Sequence, residues 1–134
     1  ERDVQGHIIA SFGEESGKVP YTSFMAKSSY IQNNEDVIQR FTNALYKAQQ
    51  WILEQDATTI AEVVSPYFED TSTELLADSI ERYSNQDSFA TDPVIDEEEW
   101  ENLKRIMDEA GELPFDVKYE DLVDTTFAKE ALEQ

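Results

Sequence analysis

The chain has 134 residues, with 30 acids against ten bases and a formal net charge of −20. Such a surface repels phosphate backbones and anionic headgroups, which argues against general nucleic-acid or lipid-surface binding. The absence of cysteine excludes a disulfide framework and a thiolate metal site, while 40% apolar and 11% aromatic residues suit one folded domain rather than a disordered chain.

No apolar run approaches the roughly 20 residues that span a bilayer. The opening Glu1-Arg2-Asp3-Val4 lacks the apolar core of a signal peptide, so no targeting segment reports on location. Residues 7–12, His-Ile-Ile-Ala-Ser-Phe, form a short apolar run and predict a buried strand. Gly13 to Lys18 then reads as a polar turn with two glycines. Residues 19–27, rich in aromatic and β-branched side chains, predict a second strand with Pro20 at its start or edge.

From residue 28 the pattern becomes helical. Asn33 and Asn34 are candidate caps for a helix reaching about Glu54. Its apolar positions Val37, Ile38, Phe41, Leu45, Ala48, Trp51 and Ile52 recur at spacings of three and four. Asp56 can cap a shorter helix through Ile60, Val63 and Val64, stopped near Pro66. Thr71 and Glu74 have the spacing of a capping box opening a helix with Leu75, Leu76, Ile80 and Tyr83.

A polar connection over residues 84–95 leads to Asp96, a cap followed by Glu97, Glu98 and Glu99 at the positive end of the next helix. That helix carries Trp100, Leu103, Ile106, Met107 and Ala110 inward, and Gly111 is its natural terminator. The tail from Tyr119 to Leu132 suggests one or two short helices, capped by Asp124 or Thr125, with Val123, Phe127 and Leu132 inward. The expectation is therefore a mainly α unit with two short strands at its N-terminal end and about five helices. Two strands alone are marginal, so this order reads as the second half of a larger α/β unit.

Few residues offer chemistry. Gly13 to Lys18 superficially matches a phosphate loop, but it is one residue short and Val19 stands where Ser or Thr would meet magnesium. His7 is the only histidine, and catalysis or metal binding requires partners beside it. The acids from Asp96 to Glu99 lack the alternating pattern of a calcium loop, and capping accounts for them. Trp51 and Trp100 fall on apolar stripes and read as packing residues. No catalytic residue, metal site or cofactor is expected. Tyr21 and Thr22 stand apart: they carry hydroxyls at the start of an expected strand, where α/β ligand sites gather.

Several strings resemble the substrate-binding proteins of ABC importers for nitrate, taurine and thiamine precursors, the NMT1/THI5-like family. They are residues 19–31 followed by residues 37–51, then Arg82-Tyr83, Asp92-Pro93-Val94-Ile95, Trp100 to Leu103, Ile106-Met107, Glu109 to Leu113 and Tyr119 to Val123. The similarity runs through nearly the whole chain and matches the family's C-terminal portion. It implies an α/β parent of the type II periplasmic-binding-protein fold, in which this chain, residues 1–134, is one unit. Residues 1–27 would lie near the inter-lobe crossover and residues 28–134 form the helical part.

The resemblance further implies a small polar solute as ligand, ABC permease subunits as partners, and an extracytoplasmic location, in the periplasm or as a surface lipoprotein. Tyr21 and Thr22 are the contributors to ligand binding it leaves in this chain. Covering apolar surface meant for the missing parts implies self-association. Two alternatives remain open: an independent acidic helical interaction module, or a pyrimidine-precursor synthase-like enzyme of the same fold, for which His7 offers no matching motif.

Overall fold

The computed structural model describes residues 9–134. Their regular structure is helical: α1 (Phe12–Ser16), α2 (Ser28–Asn33), α3 (Glu35–Glu54), α4 (Ala57–Val64), a 3₁₀ turn (Ser65–Tyr67), α5 (Thr73–Asn85), α6 (Glu97–Glu109), α7 (Tyr119–Leu122) and α8 (Thr126–Leu132).

Local chemistry sets most of these boundaries. The Asp56 carboxylate accepts the Thr59 N–H at 2.8 Å and opens α4. Asp96 does the same for α6 through Glu99 N–H, with three glutamates in the first turn. Gly111 takes φ 72° just beyond α6, a left-handed conformation that glycine adopts without strain. The α5 cap is one residue later than Thr71: the Ser72 hydroxyl accepts from Leu75 N–H at 3.2 Å. Asn34 precedes α3, but its amide turns back to donate to Tyr30 O at 2.8 Å and so ties off α2.

The two expected strands need correction. Among the described residues there is no strand. Residues 19–27 are irregular, with a bend at Thr22, and nothing pairs with them; a strand without a neighbouring ladder lacks the hydrogen bonds that define it. Of the first expected strand, His7 and Ile8 lie outside the described residues. Phe12 opens α1 instead, with its ring 94% exposed. The expected turn from Gly13 is also helix; Glu14 and Glu15 favour its first turn, and Gly17 at φ 72° ends it.

Packing is concentrated in two helix pairs. The α4 and α5 helices meet through buried Ile60, Ala61 and Leu76. The α3 and α8 helices meet where Ala128 and Ala131 are buried. Small side chains let the backbones approach, and Gln39 Nε2 donates to Phe127 O at 2.9 Å across the seam. The inward side of α8 is thus its alanines; Phe127 is half-buried and Leu132 is exposed. No large side chain is fully buried among the described residues.

The chain exposes 10592 Å². A compact monomer of its 15.4 kDa mass exposes about 7,200 Å² by the usual size scaling. Setting aside roughly 1,300 Å², the whole unfolded surface of an eight-residue segment, still leaves an excess of about 2,000 Å². The mainly α architecture therefore leaves much apolar surface in water.

Candidate functional site

The region around Tyr21 and Thr22 is held from its N-terminal side. Asn102, on α6, donates through Nδ2 to Ser16 O and to Lys18 O, each at 2.9 Å. Lys18 Nζ reaches Asp87 at 3.3 Å in the loop after α5. The turn before Pro20 is thereby tied to two elements distant in sequence. Asn102 has no signature that sequence reasoning could single out, since its role depends on carbonyls 84 and 86 residues away.

Beyond that anchor the segment is irregular and largely exposed. Tyr21 is 93% exposed and Thr22 is exposed as well. Phe24 turns back and meets the Phe41 ring edge-on, with centroids 4.8 Å apart. That ring contact ties the segment to α3, where Val37 and Phe41 stay 40% and 46% exposed. The two hydroxyls stand on an open surface.

A second polar cluster gathers where α6 begins. Gln49 Nε2 donates to Asp92 O at 3.0 Å, and Gln50 Nε2 to Thr91 O at 2.8 Å, so the end of α3 holds the loop that leads into α6. The Tyr119 hydroxyl donates to Ile95 O, and its ring lies edge-on to Trp100 at 6.4 Å. Burial, reinforced by Asp96, Glu97 and Glu99, raises the Tyr119 pKa. Desolvation and then Asp96 raise that of Glu99, with Lys18 pulling the other way. Trp100 is half-buried, as its stripe predicts. Further along α6, Lys104 reaches Glu101 and Asp116, both at 2.9 Å, and those two hydrogen bonds raise its pKa.

An open depression beside α5 is lined by Glu14, Asp78, Glu81, Arg82, Asn85 and Gln86. Its walls are polar and shallow, with no apolar floor to hold a small molecule. Among the described residues no group of three His, Asp or Glu side chains is placed to hold a metal ion. No helix among the described residues is long and apolar enough to cross a membrane. His7 lies outside the described residues.

The chain is 50% identical over 129 residues to a Bacillus subtilis (strain 168) protein named "Putative binding protein YtlA". The match covers 96% of this chain but 39% of that protein. No family model and no solved structure matches. The chain thus spans about two-fifths of the length of the relative it matches. The relative is named for binding.

Proposed function

We propose that this chain is the C-terminal part of the extracytoplasmic solute-binding component of an ABC importer. Its parent captures a small polar solute, of the nitrate, sulfonate or thiamine-pyrimidine-precursor class, and hands it to permease subunits. It makes and breaks no bond. The observation that carries this reading is the 50% identity over 129 residues to a protein named as a binding protein, of which this chain matches 39%. Two further facts support it. The strings quoted above resemble the ending of that transporter family, and about 2,000 Å² of surface in excess of a compact monomer's is what a part separated from its neighbours would carry.

In this reading Tyr21 and Thr22 supply hydroxyls to one wall of the ligand cleft, and the remainder of the parent supplies the other. The Asn102 clamp fixes where that wall starts. Net charge is no obstacle to an anionic ligand, because a few oriented N–H donors bind an anion locally.

The test is a chimera in which this chain replaces the matched part of the Bacillus subtilis relative. Its thermal unfolding is followed with nitrate, taurine and an aminopyrimidine precursor added separately. One of the three should raise the melting temperature, and Tyr21→Ala with Thr22→Ala should reduce that shift. A folded chimera that responds to none of them would sink the proposal.

A further inference from the structure

Charge is distributed unevenly along this acidic chain. Residues 16–53 carry two acids, Glu35 and Asp36, against four bases, Lys18, Lys27, Arg40 and Lys47. The remaining residues hold 28 acids against six bases. From Ser16 to Asn34 there is no carboxylate side chain at all. Asp36 is itself neutralised by Arg40 at 2.9 Å.

The same stretch builds an apolar face. Along α3, Val37, Phe41, Ala44 and Ala48 are all exposed, and their spacing of four, three and four residues puts them on one stripe. Eleven helical steps from Val37 to Ala48 make that stripe about 16 Å long. Phe24 is seated on Phe41 and extends the face sideways, with Met25 91% exposed beside it. The opposite side of α3 is occupied by α8. Half of an amphipathic helix is therefore covered and half is not.

We infer that this face, centred on the α3 stripe with Phe24 and Met25, is the self-association surface of the chain, and that a second copy covers it about a two-fold axis. Two arguments select a second copy. Standard interfaces bury about 800 Å² per partner, well within the excess surface. Two chains of −20 repel wherever their acidic bodies meet, and this face is apolar and nearly free of carboxylates. An isologous contact brings like surface to like, so an acid-poor apolar patch is where two such chains meet at least electrostatic cost. This inference concerns the 134-residue chain itself and does not rest on which solute the parent binds.

Sedimentation equilibrium across a concentration series provides the test. The chain should reach twice its 15.4 kDa mass. The dimer should tighten as salt is raised, because screening weakens the repulsion between the two bodies and leaves the apolar contact in place. Ala44→Glu with Ala48→Glu should raise the dimer Kd more than about tenfold by setting carboxylates against one another. Tyr67→Glu with Phe115→Glu adds the same charge at residues 83% and 69% exposed elsewhere and should leave the dimer intact.

Because the chain has no cysteine, Met25→Cys and Ala44→Cys each supply a single thiol for crosslinking with a bis-maleimide, a readout independent of the glutamate variants. Crosslinked dimer from these, and not from Tyr67→Cys, is expected. A monomer at every concentration would overturn the inference. So would a dimer lost equally in both glutamate pairs, or open-ended oligomers that dissolve in salt, the mark of a lysine-on-acid contact.

Discussion

The α4–α5 pair closes on itself, whereas the stretch from Val19 to Ala48 leaves several aromatic and aliphatic side chains in water, among them Tyr21, Phe24, Met25, Val37 and Phe41. Both regions are apolar in sequence. The first needs only what lies within 30 residues: the Asp56 and Ser72 caps, a 3₁₀ turn at Pro66, and two stripes that meet at Ile60, Ala61 and Leu76. The second contains a strand-like segment and a two-sided helix, and each calls for partners that lie outside it. Local signals are satisfied locally; strand and stripe signals are requests to the rest of a fold.

The sharpest way to break that contrast is to cut into each region. Leu76→Ala removes a side chain only 8% exposed and should destabilise the chain by about 2–4 kcal/mol. Met25→Ser, at a residue in open solvent, should stay within about 0.5 kcal/mol in dilute monomer. Chemical denaturation of both variants checks the pair. Similar losses would mean that the Val19–Ala48 face is buried in solution.

The caps come next in size. Ser72→Ala leaves the Leu75 N–H without its acceptor at the start of α5, at a cost of about 1 kcal/mol. Asp96→Ala should cost about the same at α6. If α6 is held mainly by its own propensity, amide exchange should quicken in its first turn and stay unchanged in α4 and α5.

Asp56 makes the same argument through pH. The Thr59 N–H that it accepts holds its pKa below the 3.8 of an unperturbed carboxyl. A depressed folded pKa gives stability that is present above the unfolded value and lost as pH falls through the folded one. The melting temperature of the native chain should therefore exceed that of Asp56→Ala by a constant margin above about pH 5, and the margin should shrink on acidification below the unfolded value. A margin independent of pH would show that the cap acts through backbone conformation rather than through the ionised carboxylate.

What was legible in the sequence follows the same division. The long α3 ending at Glu54, the Asp56 and Asp96 caps and the Gly111 terminator could all be read directly, because each depends on residues within one turn. The α5 cap slipped from Thr71 to Ser72 since both are hydroxyl residues with a suitable glutamate nearby. The predicted strand over residues 19–27 is absent: the segment is irregular with a bend at Thr22, for want of any ladder partner among the described residues. The α3 apolar positions split in exposure: Ile38, Leu45, Trp51 and Ile52 are half-buried, while Val37, Phe41 and Ala48 are exposed. Periodicity reports which positions are apolar; it does not report how much of the arc a neighbour covers. Asn102, which anchors the turn before Tyr21 and Thr22, could not be named, because its acceptors are backbone carbonyls.

The smallest expected effect comes from Glu99, in the first turn of α6. Desolvation, and then the neighbouring Asp96, raise its pKa, so its ionised form is the less favoured one in the folded chain. A carboxyl with a raised folded pKa weakens folding above that value, and the penalty is relieved as pH falls toward the unfolded value near 4.5. Glu99→Gln keeps the shape and removes the charge, at the loss of its favourable pairing with the helix dipole and with Lys18. At pH 7 the variant should melt slightly higher than the native chain, and the gain should fade on acidification toward pH 4.5. A loss at pH 7 would mean that Lys18 and the helix N-terminus outweigh desolvation. The turn before Tyr21 would then be tied to α6 by charge as well as by the Asn102 clamp.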